Sequence, residues 1–313
     1  MTARWALANA RAIALDRPRI VAILNLTPDS FHAPGPFDDP RAVVERAEAA
    51  VAEGADAIEL GGESTRPGAT RVGEEEQARR VLPALAAIRR SGGRAAVAPI
   101  VIDTTLGRVA ERALGEGADA INDVSAGMED ARLVGVVARA GAGLVLMHRL
   151  RPPGEDAYSD RYGAGAEPSY GDVVAEVGKF LRGRACEAMM KGVEPGRIVV
   201  DPGLGFGKTV AQNLELIDRT PELARLGYPI MSALSRKSFV GRASGRETMP
   251  ADRLAATLAL SVVHQTRGAS VFRVHDVRAH ADALAAAFAA RSPGVRDTES
   301  CGEHPIGSTG GKE

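Results

Sequence analysis

Glu53-Gly54-Ala55-Asp56-Ala57-Ile58 recurs as Glu116-Gly117-Ala118-Asp119-Ala120-Ile121. Looser copies follow: Ala140-Gly141-Ala142-Gly143 ahead of Leu144-Val145-Leu146-Met147-His148, and Arg267-Gly268-Ala269-Ser270 ahead of Val271-Phe272-Arg273-Val274-His275. Each copy sets a glycine and small residues directly before a short apolar run. Glycine ends a helix at no steric cost, and a continuous apolar run is a strand buried on both faces. The repeat therefore reads as a helix stopping and a parallel strand starting.

Working outward from it, eight such runs emerge, at 19–26, 57–61, 99–103, 120–124, 144–147, 197–200, 229–233 and 271–274. Stretches with helical periodicity lie between them, among them 41–52, 74–89, 173–190 and 251–263. Alternation of strand and helix eight times in roughly 270 residues predicts an α/β protein built as a single (β/α)8 TIM barrel. The rival on this pattern is a doubly wound open sheet. Residues 1–18 are expected to form a lead-in hairpin plugging the barrel's bottom, 19–291 the barrel, and the Gly-, Ser- and Glu-rich stretch 292–313 a disordered tail.

Composition narrows the function. A net charge of −1 over 313 residues excludes a dedicated nucleic-acid binder. Two cysteines, Cys186 and Cys301, exclude a disulfide scaffold and offer no metal-ligand spacing. No apolar run reaches the ~20 residues of a membrane span, and the three arginines of 5–20 exclude a signal sequence there. A reduced, cytoplasmic setting follows. The basic residues are 34 Arg against only 5 Lys, so a lysine in a tight motif calls for explanation, because the two cations are not interchangeable at close-packed sites.

A barrel carries function where strands end and loops begin. Those positions supply Asn25 from the first strand, Gly62-Glu63-Ser64-Thr65-Arg66-Pro67 from the second, then Asp103, Asn122, His148 and Asp201, then Ser235-Arg236-Lys237-Ser238, and finally Arg273 and His275. Burying Asp103, Asn122 and Asp201 without partners costs a few kcal/mol each, and a donor-rich ligand such as an aminopyrimidine ring satisfies all three. Helix capping or backbone pairing is the alternative. Arg273 and His275 alternate along one strand and share a face. With Asn25 across the closing seam they suit a phosphate-type anion and its Mg²⁺, the alternative being a structural Arg273–Asp276 pair. His148 is read as structural, and His32, His264 and His280 as surface or packing residues without partners.

Gly203-Leu204-Gly205-Phe206-Gly207-Lys208-Thr209 invites a phosphate-loop reading, but Pro202 stands where that pattern requires glycine. Its glycines instead let backbone approach a flat ligand, with Phe206 placed to stack on a ring and Lys208 either pairing locally or serving the site. Lys237 opens the helix after the seventh strand, where free N–H groups favour an anion, and is the stronger functional candidate of the two.

Together, Asn25-Leu26-Thr27-Pro28-Asp29-Ser30-Phe31, Gly61-Gly62-Glu63-Ser64-Thr65-Arg66-Pro67-Gly68, Ile102-Asp103-Thr104, Ile121-Asn122-Asp123-Val124, Asp201-Pro202-Gly203-Leu204-Gly205-Phe206-Gly207-Lys208, Ser235-Arg236-Lys237-Ser238-Phe239 and Arg273-Val274-His275-Asp276-Val277 resemble the motif series of the dihydropteroate synthase family, in the family's order, over 19–290. The resemblance implies condensation of 6-hydroxymethyl-7,8-dihydropterin diphosphate with p-aminobenzoate to 7,8-dihydropteroate, with release of pyrophosphate. It implies a pterin set of Asp103, Asn122, Asp201 and Lys237, and a diphosphate and Mg²⁺ site of Arg273, His275 and Asn25, Asn25 being the metal ligand. It also implies a p-aminobenzoate pocket closed by Thr65, Arg66 and Pro67 and lined by Phe206 and Ser238. Asp103, Lys237, Arg273 and His275 are then the catalytic residues, and a homodimer is implied, with 251–263 or 281–290 as the face.

Three departures stand out. Glu59 replaces the family's usual Asp and is expected to alter strand packing only. His32-Ala33-Pro34-Gly35 replaces Ser-Asp-Gly-Gly, which puts loop dynamics or turnover at issue. A long insert at 149–170 is expected to reshape access to the pterin pocket. Two alternatives remain: a paralogue that binds pterin with little or no turnover, supported by the altered first loop, and a methyltetrahydrofolate-dependent methyltransferase, against which the diphosphate pair Arg273 and His275 argues.

Overall fold

The computed structural model describes residues 3–27, 39–163, 165–245 and 248–291; the altered loop 32–35, His32 with it, and the segment 292–313 lie outside the described residues. Within it the repeat's residues do equivalent work. Gly54 and Gly117, at φ of 109° and 96°, end their helices in a conformation that favours glycine. The aspartates that follow pin the start of the preceding, neighbouring strand: Asp56 accepts the Ile20 N–H at 2.9 Å and Asp119 the Ile100 N–H at 2.8 Å. Arginines complete both carboxylates, Arg17 and Arg19 on Asp56, Arg11 and Arg89 on Asp119.

The chain opens with an antiparallel hairpin, β1 (Arg4–Ala6) and β2 (Ala12–Ala14). It then runs β3 (Arg19–Asn25), α1 (Pro40–Ala52), β4 (Ala57–Gly61), α2 (Glu74–Arg90), α3 (Arg94–Val97), β5 (Ile100–Asp103), α4 (Gly107–Gly115), β6 (Ala120–Asp123), α5 (Leu133–Ala140) and β7 (Gly143–Met147). The remainder is α6 (Val173–Met190), β8 (Ile198–Asp201), α7 (Val210–Asp218), α8 (Thr220–Ala224), β9 (Met231–Ser232), α9 (Ser238–Ala243), α10 (Leu254–Thr266), β10 (Val271–Val274) and α11 (Val277–Arg291). The eight strands β3 to β10 pair in parallel in the order β8-β7-β6-β5-β4-β3-β10-β9. A parallel bridge from Val200 to Ile230 joins β8 to the chain entering β9 and closes the cylinder. This is the (β/α)8 barrel, and closure removes the open sheet from consideration.

Small shifts from the predicted boundaries have local causes. Pro99 has no N–H to give to the ladder, so β5 starts at Ile100. The run at 229–233 contracts to two residues, and a 3-10 turn at Pro250–Arg253 moves the start of α10 to Leu254.

Because side chains alternate along a strand, half of each strand faces the barrel axis. One inward residue from each strand forms an apolar floor: Val21, Ala57, Val101, Ala120, Val145, Val199, Met231 and Val271. Trp5, Leu7 and Ile13 of the hairpin pack beneath it, and Trp5 is wholly buried with its indole N–H on the Arg197 carbonyl at 2.9 Å. The hairpin is thus the barrel's plug. Trp5→Ala should destabilise the protein by about 3–5 kcal/mol in denaturant unfolding while leaving the far end of the barrel intact; a loss well below that range would show that the floor closes without the plug.

Candidate active site

Two residues beyond the floor, the next inward positions are Ile23, Glu59, Asp103, Asn122, Met147, Asp201, Ala233 and Arg273. Five of these eight carry a charge or an amide, all on one level of the barrel. Arg273 spans the layer: its Nε donates to Glu59 Oε1 at 2.6 Å and its Nη2 to Asp103 Oδ2 at 2.9 Å. Glu59 Oε2 accepts from Asn122 Nδ2 at 3.1 Å. Asn122 Oδ1 is buried without a hydrogen-bond partner. Asp201 accepts the Gly203 N–H at 2.7 Å and attracts the Lys237 ammonium.

Burial dominates the electrostatics. It pushes the Asp103 carboxyl up to about 7, with Glu59 adding to the shift and Arg273 opposing it. It pulls Lys237 down to about 7 against the attraction of Asp201. Arg273 would itself lose basicity on burial, but Glu59 and Asp103 hold it above its ordinary value.

Above this layer the Gly203–Lys208 segment folds back against Lys237. A side chain at Gly205 would come within 2.9 Å of Lys237 Cδ, and one at Gly203 would collide with the His148 carbonyl, so the backbone approaches as it could only at glycine. The Lys237 ammonium sits 4.3 Å from the Phe206 ring centroid and donates to the Leu204 carbonyl. Phe206 packs with Val124 and Met147 at the rim. Ser238, the first residue of α9 and next to Lys237 in sequence, is buried.

Lys208 is fully buried and holds the segment from inside. Its three donors meet three acceptors: the Gly203 carbonyl at 3.0 Å, the Phe206 carbonyl at 2.8 Å and His148 Nδ1 at 2.9 Å. Burial, helped by Lys208, pulls His148 down to about 2, so the ring is neutral and accepts.

Asn25 and Asp103 flank Gly61, where an added Cβ would meet Asn25 Oδ1 at 3.7 Å and Asp103 Oδ2 at 3.8 Å. His275 is oriented by Ser235, whose Oγ lies 3.0 Å from Nδ1 and 3.2 Å from the His275 backbone nitrogen. Thr65 lines a cavity of about 280 Å³ together with Asp103, while Arg66 and Pro67 stand half-buried on the same loop outside its lining.

Two readings are corrected. Arg273 does not pair with Asp276; Arg236 does, its Nε at 2.8 Å from Oδ2, because Arg273 points inward to Glu59 and Asp103. His264 and His280 are buried packing residues with partners, the Ser232 hydroxyl at 2.9 Å and the Asp276 carbonyl at 2.7 Å.

Glu59 was missed as a site residue. Reading strand ends passed over it, although its place two residues after the floor residue Ala57 was the available signal. The insert at 149–170 makes contacts that no periodicity in the sequence announces. Asp156 accepts the Gly207 N–H at 2.7 Å, Tyr170 donates to the Gly207 carbonyl at 2.8 Å, and the Pro153 carbonyl accepts the Gly68 N–H at 2.9 Å. It ties the glycine-rich segment to the Thr65–Pro67 loop.

Residues 21–275 match the family model described as pterin binding enzyme. A dihydropteroate synthase of Neisseria meningitidis serogroup C is 42% identical over 278 residues, covering 88% of this chain and 93% of that protein. The structure of Xanthomonas albilineans dihydropteroate synthase with 4-aminobenzoic acid superposes with a TM-score of 0.81 at 38% identity, covering 93% of this chain and 99% of that one. The same enzyme in complex with 7,8-dihydropteroate gives 0.77 at 36%, over 91% and 99%. The chain belongs to the pterin binding enzymes. Within them it is a member of the dihydropteroate synthase family, whose members are transferases.

Lys208→Met keeps the aliphatic stem and removes all three donors. It should cost about 2–4 kcal/mol, since two buried carbonyls lose their partner, read by chemical denaturation. A change within about 0.5 kcal/mol would show that the glycine-rich segment holds itself.

Proposed function

We propose that the polar inner layer and its rim bind 6-hydroxymethyl-7,8-dihydropterin diphosphate and join it to p-aminobenzoate, forming 7,8-dihydropteroate and releasing pyrophosphate. The observation that carries this is an acceptor-rich layer in a dry barrel: Asn122 Oδ1 is buried and unpaired, with Asp103 and Asp201 buried on the same level. A donor-rich aminopyrimidine ring supplies what these acceptors lack, and nothing apolar does. Lys237 lies beside Asp201, within reach of the ring's carbonyl edge.

In this reading the bond between the pterin's exocyclic methylene carbon and the diphosphate oxygen breaks first, the electron pair leaving with the diphosphate. Arg273 on β10, His275 just beyond its end and Asn25 across the seam face that group. The cation left on the pterin is held beside the Asp103 carboxylate, whose charge, fixed in place before the reaction, favours the developing positive charge, while Glu59 is taken up by Arg273 and Asn122. The amine nitrogen of p-aminobenzoate, under the Thr65–Pro67 loop and beside Phe206 and Ser238, then forms the carbon–nitrogen bond and releases its proton. An aromatic amine is neutral near pH 7, so no strong base is needed.

Among the described residues no group of three or more His, Cys, Asp or Glu side chains forms a metal cage. The donor set fits a Mg²⁺ held chiefly by the substrate's phosphate oxygens, with the Asn25 side-chain oxygen as one protein ligand. Such an ion supplies charge neutralisation on the leaving group.

Asp103→Asn should leave pterin binding largely intact and lower kcat by about two orders of magnitude or more, measured as pyrophosphate release that requires both substrates. In the wild-type protein kcat/KM should rise through pH 7 from the acid side as Asp103 loses its proton, and fall on the alkaline side as Lys237 loses its own. Unchanged turnover in the variant, or a flat profile between about pH 6 and 8, would remove Asp103 from this role.

We also propose a homodimer. α10 is inverted for a barrel helix: Thr257, Ser261, His264 and Gln265 are buried, whereas Val263 is 42% exposed and Ala255 and Ala259 face outward. A second copy covering that face removes its apolar surface from water. Val263→Glu should shift the protein toward monomer in sedimentation velocity, and an unchanged sedimentation coefficient would place the interface elsewhere. The setting we propose is the cytoplasm, where the exposed free thiol of Cys186 is stable; no described helix is long and apolar enough to cross a membrane.

A further inference from the structure

Glu59 is the member of the inner layer to which the reaction, as described above, gives no contact with substrate. It is buried to 1% exposure on β4 and serves two partners with one carboxylate. Oε1 takes Arg273 Nε at 2.6 Å, and Oε2 takes Asn122 Nδ2 at 3.1 Å.

The second contact decides which end of the Asn122 amide the pocket sees. A carboxylate only accepts, so Asn122 must turn its NH₂ toward Glu59, which leaves Oδ1 as the group without a partner. The reversed amide would set oxygen against oxygen in a buried site, an arrangement strongly disfavoured where water is excluded. The first contact fixes the guanidinium in the position from which Nη2 reaches Asp103 at 2.9 Å. Two residues that touch the ligand in the proposed reaction thus take their orientation from one that does not.

We infer that Glu59 is a positioning residue: it presents Asn122 to the ligand as an acceptor, selecting a ring edge that carries an N–H, and it holds Arg273 against Asp103. The inference rests on the pterin reading of the pocket. Charge and reach are both required, and this separates the role from mere filling of space. Gln is nearly isosteric but uncharged, and its amide no longer dictates the orientation of Asn122. Asp keeps the charge yet is one methylene shorter, so it serves one partner better than two.

The experiment compares wild type, Glu59→Gln, Glu59→Asp, Asn122→Asp and the double variant Glu59→Gln/Asn122→Asp. Binding of 6-hydroxymethylpterin is followed by calorimetry, kcat and KM by pyrophosphate release, and folding by thermal melts. Glu59→Gln should raise the pterin Kd by about tenfold or more, the loss of a charge-assisted contact, with kcat within about threefold. Glu59→Asp should bind between wild type and Glu59→Gln. Asn122→Asp opposes two carboxylates and should bind worst, and the double variant, which restores a donor between the two positions, should recover at least about tenfold of that loss.

Glu59→Gln binding like wild type, Glu59→Asp binding worse than Glu59→Gln, or a double variant no better than Asn122→Asp overturns the role. If Glu59→Gln does not accumulate folded, Glu59→Asp decides alone: a Kd raised about threefold with kcat preserved supports it, and an unchanged Kd overturns it. Wild-type protein that fails to bind the pterin overturns both this role and the pterin reading; wild-type binding with Glu59→Gln unaffected overturns the role alone.

Discussion

Everything polar in this barrel rests on a dry floor. Strand geometry allows only every second residue to face the axis, and the first inward level is spent entirely on Val21, Ala57, Val101, Ala120, Val145, Val199, Met231 and Val271. Trp5 seals it from below. The level above therefore has no water beneath it and must satisfy its charges laterally or with a ligand. That is why the same burial raises Asp103 and lowers Lys237 until both stand near neutrality. Groups poised there change protonation state with small changes in surroundings, which serves a site that must first bind an anion and then hold a cation.

Lateral satisfaction is incomplete by design of the residue set. Arg273 answers Glu59 and Asp103, and Glu59 answers Asn122, but Asn122 Oδ1 has no answer within the protein. A buried ion pair seldom adds net stability, since desolvation offsets most of its attraction, whereas removing one partner is costly. The layer is thus better understood as a template than as a brace, with its stability supplied by the floor and the surrounding helices. The insert acts at the opposite rim. Through Asp156, Tyr170 and Pro153 it links the glycine-rich segment to the loop carrying Thr65, so the two walls of the mouth are held by one strap.

The barrel was legible because its signals are local. A glycine, a small residue and an apolar run announce each junction, whereas the hold of the repeat's aspartates on the neighbouring strands appears only in the fold. The inward charged positions at strand ends were legible for the same reason. Glu59 was not, because it lies mid-strand, where a single acidic residue between Ile58 and Leu60 reads as a packing variation; only the level count across all eight strands shows that it shares the plane of Asp103. The pairing of Arg236 with Asp276 was hidden as well, since sequence neighbours Arg273 and Asp276 look closer than they are once the strand has turned one inward and the other outward. Long-range pairings of this kind carry no periodic signature.

The scarcity of lysine has a physical counterpart in the fold. Lys208 is fully buried and Lys237 half-buried against the glycine-rich segment, in a chain that carries 34 Arg and only 5 Lys. At Lys208 three acceptors converge from different directions, two carbonyls and an imidazole nitrogen, which suits the tetrahedral donors of an ammonium and not a planar fork. At Lys237 the stem runs so close to Gly205 that even a methyl group there would crowd it. A guanidinium is broader at that point and cannot shed its proton, whereas burial pulls the Lys237 ammonium down to about 7. Arginine serves where the partner is a carboxylate that can be met edge on, as Arg273 meets Glu59. Lysine is kept where the site needs a narrow cation whose charge can be set aside.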